Sequence, residues 1–209
     1  MLGKVDFSVY DGRGMVNYLI KTEPFFLNAK FDIEDFNIEK FVSSISDEIY
    51  VSGVINVNGF LNFNGKDVEM ETTIKSVRKR GVKQIMNFGA VKVLVAMSGG
   101  NLIKSIGSSN FYYSKIGVKI TLKNNYLTLE GLAGKRRNVQ YMIKKSFLRQ
   151  GINLTIDRNS NTIEISHFIR RIKDAIKRVK EGGKLKFKTS AINYTLPHQE
   201  FLQQVEVSS

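Results

Sequence analysis

Residues 1–77 alternate polar and apolar side chains again and again, and this period of two constrains the fold more than any other feature. Such a period marks strands with one face buried and one face in water. Val5, Phe7 and Val9 oppose Asp6 and Ser8. After the turn signal "DGRG", Met15 to Ile20 form a second strand. Phe25, Leu27, Ala29, Phe31 and Ile33 form a third, against Asn28, Lys30 and Asp32. "NIEKFVSSI" then changes period: Asn37 can cap a short helix whose inner face is Ile38, Phe41, Val42 and Ile45. Alternation resumes with Ile49, Val51, Gly53, Ile55, Val57, Gly59, Leu61 and Phe63 on one parity. "NGK" turns the chain, and Val68, Met70, Thr72 and Ile74 face inward against Glu69, Glu71 and Lys75.

The stretch "RKRGVKQIMNFGAVKVLVAMSGG", residues 78–100, breaks this pattern. Val82, Ile85, Met86, Ala90, Val93, Leu94 and Met97 recur at spacings of three and four, which predicts a helix over 81–98 closed by Gly99 and Gly100. Strands follow over 111–157. Ile116, Val118, Ile120 and Leu122 face in, Asn124-Asn125 suit a tight hairpin, and Leu127 and Leu129 return on the apolar side. Tyr141, Ile143 and Phe147, then Ile152, Leu154 and Ile156, predict two more strands around a turn. A second helix is expected over 167–181, capped by Ser166. Its inner stripe is Phe168/Ile169, Ile172, Ala175/Ile176 and Val179, with Arg171, Lys173, Lys177, Arg178 and Lys180 outside.

The expected fold is therefore mainly β with α: a twisted antiparallel sheet capped by two helices. Residues 1–77 form a sheet segment with one short helix, 78–190 a basic α+β segment, and 191–209 a polar tail. A 42% hydrophobic fraction is that of a globular chain, and 209 residues suffice for a sizeable core. The pattern is already alternating at the first residues, as in a piece of a longer protein, with no signal-peptide apolar region. No run reaches the roughly 18–20 apolar residues of a membrane span.

Charge is split along the chain. Residues 1–77 hold 7 Lys and Arg against 12 Asp and Glu, net −5; residues 78–209 hold 25 against 7, net +18. A basic excess of this size favours an anionic partner or simply keeps the chain soluble. The expected contacts are Arg78, Lys79, Arg80, Arg136, Arg137, Arg170, Arg171, Lys177 and Arg178. An anionic membrane surface asks only for dispersed cations, worth ~1 kcal/mol each near the surface. Nucleic acid is less favoured, because base stacking needs exposed aromatics among the cations and Tyr112, Tyr113 and Tyr141 sit in β-patterns.

Catalytic chemistry has little to draw on. There is no cysteine, and the two histidines, His167 and His198, form no metal-binding pair. "GLAGKRR" at 131–137 lacks phosphate-loop spacing, and no nucleophile elbow occurs. Asp32, Glu34, Asp35, Asp47 and Glu48 lie in turns and on polar faces, where solvated surface is the plainer reading. A non-enzymatic protein with no cofactor, no metal and no small-molecule substrate is expected. The apolar sheet face has two readings, an ordinary core or a groove that stays open for apolar ligands.

"FDIEDFNIEKFVSSISDEIYVSGVINVNGFLNFNGKDVEMETTIKS" resembles the AsmA-like repeat, in which a strand leads to a short helix and then to strands punctuated by glycines, here Gly53, Gly59 and Gly65. "KQIMNFGAVKVL", followed by "FYYSKIGVKITLKNNYLTLEGLA", resembles the C-terminal domain of the long AsmA-like, TamB-type proteins of diderm bacteria. The resemblance covers roughly residues 1–180. It implies a long twisted β-groove with an apolar interior, spanning the periplasm from an inner-membrane anchor and carrying phospholipid toward the outer membrane. It also implies a periplasmic or cell-envelope location and a role in outer-membrane biogenesis. This chain carries no anchor and is too short to span an envelope, so a fragment or C-terminal end is expected. Phe25, Leu27, Phe31, Ile55, Val57, Leu61, Phe63, Val68, Met70 and Ile74 would line the groove for acyl chains. The helix bearing Val82, Ile85, Met86, Val93, Leu94 and Met97 would close it. The partners are then phospholipid and a membrane surface or envelope protein. A basic nucleic-acid-binding module and a purely structural assembly factor are the alternatives.

Overall fold

The structure is a computed structural model that describes residues 1–97, 110–137, 139–159 and 161–181. It opens with three long strands, β1 (Leu2–Val9), β2 (Gly12–Thr22) and β3 (Phe25–Asn37), and a short helix, α1 (Ile38–Ser43). There follow β4 (Val51–Ser52), β5 (Val54–Phe63), β6 (Val68–Val77), β7 (Ile85–Met86) and α2 (Phe88–Met97). The second half holds β8 (Phe111–Lys123), β9 (Tyr126–Gly131), β10 (Gly134–Arg136), β11 (Val139–Lys145), β12 (Leu154–Asp157), β13 (Thr162–Glu164) and α3 (Ile165–Lys180). The fold is mainly antiparallel β with helices, as expected.

The main path runs β1-β2-β3-β5-β6-β8, and β8 then divides its far edge between β9 and β11. Local chemistry sets the turns. Tyr10-Asp11 and Asn124-Asn125 both take positive φ at two successive residues, the geometry of tight hairpins between right-twisted strands. Asn64 accepts from the backbone N–H groups of Lys66 and Asp67 and closes the β5–β6 turn. Asn37 caps α1, accepting from the N–H groups of Glu39 at 3.0 Å and Lys40 at 3.3 Å.

Alternation in β3 slips at "IEDF". The structure answers with a bulge: Ile33 pairs with Val57 but Phe36 pairs with Ile55, and Asp35 carries the extra residue at φ 59°. Asn56 Oδ1 accepts from the Asp35 N–H at 3.0 Å and holds the bulge in place. Phe36 is thereby returned to the apolar face, where it stacks edge-on with Tyr10 at 5.3 Å.

The buried core lies at one end of the sheet. It gathers Val51, Met86, Val91, Phe111, Tyr113, Leu129, Ile143, Ile156 and Phe168 from eight elements. The two longer helices pack on each other, and α3 also contacts β9 and β13.

The helix expected over 81–98 begins only at Phe88. Asn87 starts it, its Oδ1 accepting from the Ala90 N–H at 2.9 Å and from the Tyr50 N–H at 3.1 Å. Ile85 and Met86 are therefore not helical. They form β7, paired to Val51–Ser52 on one side and to Phe111–Tyr112 on the other. Val82 lies in the preceding loop, 40% exposed. Val93, Leu94 and Met97 are helical and half-buried. The expected stop at Gly99-Gly100 falls outside the described residues, as does the 191–209 tail.

The second helix starts before Ser166, whose hydroxyl donates to Glu164 Oε1 at 2.6 Å. Ser166 is thus inside the helix and not its cap. In α1, Ile38 and Val42 pack inward while Phe41 remains exposed; Ile45, expected on the same inner face, lies past the end of the helix and is exposed too. Phe147 is not on a strand: β11 ends at Lys145.

Candidate functional site

The registers of β2, β3, β5, β6, β8 and β9 line up into continuous cross-strand rows. One row reads Tyr18, Ala29, Leu61, Met70, Leu122, Leu127. The next reads Val16, Phe31, Gly59, Thr72, Ile120, Leu129, and the next Gly14, Ile33, Val57, Ile74, Val118, Gly131. At the outer end Ile20, Leu27, Phe63 and Val68 form a shorter row. With β1 included, seven strands at about 4.8 Å spacing give a face roughly 29 Å across. These rows contain no carboxylate, amine or guanidinium.

The opposite face is polar and carries its own cross-links. Lys119 meets Glu71 at 2.9 Å and Lys123 meets Glu69 at 3.2 Å. The hydrogen bond that Lys119 donates to the Glu71 carboxylate raises the pKa of its ammonium above the ordinary value. Asn28 donates to the Asn62 side chain.

Coverage of the apolar face is uneven. Its β8–β9 end is sealed into the core by the helices. Toward β1 it is open. Of the ten residues expected to line a groove, only Ile55 is fully buried, at 6% exposure. Leu27, Phe31, Val57, Leu61, Phe63, Met70 and Ile74 are half-buried, and Phe25 and Val68 are 45% and 39% exposed. The structure brings all ten onto one face. Of the six residues of the expected closing helix, Met86 is wholly inside the core cluster and Leu94 and Met97 pack against it.

Aromatic rings lie across this face over small residues. A Cβ on Gly14 would fall 2.2 Å from the Phe7 ring, and one on Gly59 would fall 2.8 Å from the Phe31 ring and 2.1 Å from the Glu71 carbonyl oxygen. Glycine opposite an aromatic lets the ring lie flat and keeps the face smooth. Gly53 has a different reason: its φ is 144° and the Tyr113 hydroxyl fills the space where a Cβ would stand.

The nine expected anion contacts do not form one patch. Arg78, Lys79 and Arg80 occupy the exposed loop after β6, where Lys79 is held by Asp35 at 2.8 Å. Arg136 and Arg137 are exposed at the end of β10, and Arg170 and Lys177 on α3. Arg171 and Arg178 are half-buried, not on the helix's outer side, because they flank the apolar stripe that packs inward.

Sequence reasoning missed two features. Arg78 shares a cleft with Lys75 and Lys115, and Phe147-Leu148 stand almost fully in solvent. A like-charged cross-strand pair, Lys115 opposite Lys144, marks the first, but it is visible only once the register is known.

Among the described residues, no group of three or more His, Asp or Glu side chains could hold a metal. His167 is exposed, 3.8 Å from Glu164. Asp35 is used by Lys79, and Ser46 donates to Glu48 at 2.5 Å, which lowers the Glu48 carboxyl below its usual range. No helix of the described residues is long and apolar enough to cross a membrane. No family model, curated protein or solved structure matches this chain.

Proposed function

We propose that this chain is a segment of an AsmA-like envelope protein that holds phospholipid acyl chains on the open part of its apolar sheet face. The observation that carries this is the set of charge-free rows across β2, β3, β5 and β6, half-exposed and not sealed by the helices. A face of this size left open to water normally marks an interaction site. Gly59 and the alternating residues of the resemblance lie on the strands of this face, while Gly53 stands at the break before β5 and Gly65 in the β5–β6 turn.

The mechanism is passive. Acyl methylenes replace water against Leu27, Phe31, Val57, Leu61 and Met70, and the gain scales with apolar area removed from water. Flat rings over Gly14 and Gly59 let an extended chain cross the strands without obstruction. The function needs no catalytic residue or cofactor. The sealed core at the β8–β9 end gives the face a closed terminus.

Lipid extraction and mass spectrometry of the purified chain test the reading, together with transfer of labelled phospholipid between liposomes. Co-purified phospholipid, reduced by L61E on the face, is the expected result. A lipid-free chain that moves no phospholipid would overturn it.

A further inference from the structure

Phe147 is 97% exposed and Leu148 87%, side by side in the short loop that joins β11 to β12. The ends of the loop are anchored on β8. Ser146 N–H donates to the Tyr112 carbonyl at 3.0 Å, and the Gln150 carbonyl accepts from the Tyr112 N–H at 2.8 Å. Both ends are thus tied to one residue of β8, and the two apolar side chains project from between them. Arg149 does not follow them outward but lies over the Tyr112 ring at 4.7 Å.

A cleft of about 450 Å³ opens at the foot of this loop, with Ser146 in its wall. It occupies the gap on one edge of β8 between the pairing of β6 and the pairing of β7. Lys75, Arg78 and Lys115 line it, with Ser76 and the apolar Ile116. Gln84 lines it too, and its Nε2 is buried with no hydrogen-bond partner among the described residues. Lys115 stands directly opposite Lys144 across the β8–β11 ladder, an arrangement unfavourable without an anion between or beside them. Farther along β8, Lys119 and Lys123 are neutralised by Glu71 and Glu69 of β6, but Lys75, Arg78, Lys115, Lys144 and Arg149 have no carboxylate partner among the described residues.

We infer that this end of the molecule docks on a lipid surface: Phe147 and Leu148 enter the apolar layer while the cleft beside them takes the phosphoryl group of a headgroup. The two parts are complementary to one partner. An apolar tip seeks the interfacial region, and unneutralised cations around it match the anionic headgroup layer just outside. This docking goes beyond the acyl-chain reading and does not depend on it, since Phe147, Leu148, Lys75 and Lys115 lie outside β1–β3 and off the apolar rows.

The chain has no tryptophan, so F147W supplies a single reporter. On phosphatidylglycerol–phosphatidylcholine vesicles its emission is expected to shift to the blue and to be quenched by lipids carrying a quencher in the acyl chain. F147S/L148S is expected to weaken vesicle partitioning about a hundredfold, and K75Q/K115Q about thirtyfold at low salt. R136Q/R137Q, away from the cleft, is expected to change it much less. All these side chains are exposed, and thermal melts of the variants check that the fold is retained. Vesicle binding without a blue shift would overturn the proposal. So would binding of inorganic phosphate or glycerophosphoglycerol with no binding to vesicles, or a blue shift that grows with protein concentration in the absence of lipid, which would mark a second copy as the occupant.

Discussion

The hydroxyl of Tyr113 donates to the carbonyl oxygen of Ser52 at 2.7 Å, joining β8 to the break between β4 and β5 inside the core. Burial pushes this hydroxyl's pKa far above its usual value of 10.0. The protonated form is the one the fold requires. Stability from this group is full below pH 10.0 and is lost as pH rises above it, because the unfolded chain releases the proton first. Y113F is expected to cost about 1–2 kcal/mol at pH 7 by leaving the Ser52 carbonyl unpaired. It is also expected to flatten the loss of stability above pH 10.0; urea titrations from pH 7 to 11 read both effects.

Met86 is fully buried, and Leu61 lies half-exposed on the open face. M86A is expected to cost about 2–5 kcal/mol, the usual range for a core cavity. L61A is expected to cost less than about 1.5 kcal/mol, since only part of its side chain leaves water on folding. Equal losses in urea-denaturation midpoints would mean that the β3–β5–β6 face is sealed like the core.

Asn87 joins three segments. It caps α2 through Ala90, accepts from Tyr50, and donates from Nδ2 to the Glu48 carbonyl at 2.9 Å. N87A is expected to cost about 2–3 kcal/mol, roughly 1 for the cap and the rest for the two long-range bonds. Helical circular dichroism and urea titration together check this, with N87D retaining the cap and recovering part of the loss.

Gly59 admits no side chain. G59A would place a Cβ 2.1 Å from the Glu71 carbonyl oxygen and against the Phe31 ring. The expected loss is about 2–3 kcal/mol, the cost of overpacking a spot where backbone must move. Pairing it with F31A removes the ring but not the backbone contact, so only partial recovery in thermal melting is expected.

Much of the fold was legible because its signals are local. Period-two alternation put Val57, Leu61, Met70 and Ile74 on one face, and their registers show them adjacent. Asn37 capped its helix and Asn124-Asn125 made their hairpin because each acts on backbone within three residues. The errors fell where local signals conflict with distant pairing. Ile85 and Met86 have helical spacing with Val93, yet pairing to Val51–Ser52 and Phe111–Tyr112 draws them into a strand. Phe147 continues the apolar sequence of β11, yet the ladder opposite it ends at Tyr113, and it is left in solvent.

The sequence by itself determined the long strands of residues 1–77, the parity of their faces, most turns and the charge split, all of which follow from the order of neighbouring residues. Tertiary structure alone decided how far the helices reach over the apolar face, which lysines lack a counter-charge, and that Phe147 and Leu148 project. Those outcomes depend on contacts between residues far apart in the chain. A helix covers only the strands its own stripe can reach, and a cation is neutralised only where the register sets a carboxylate across from it.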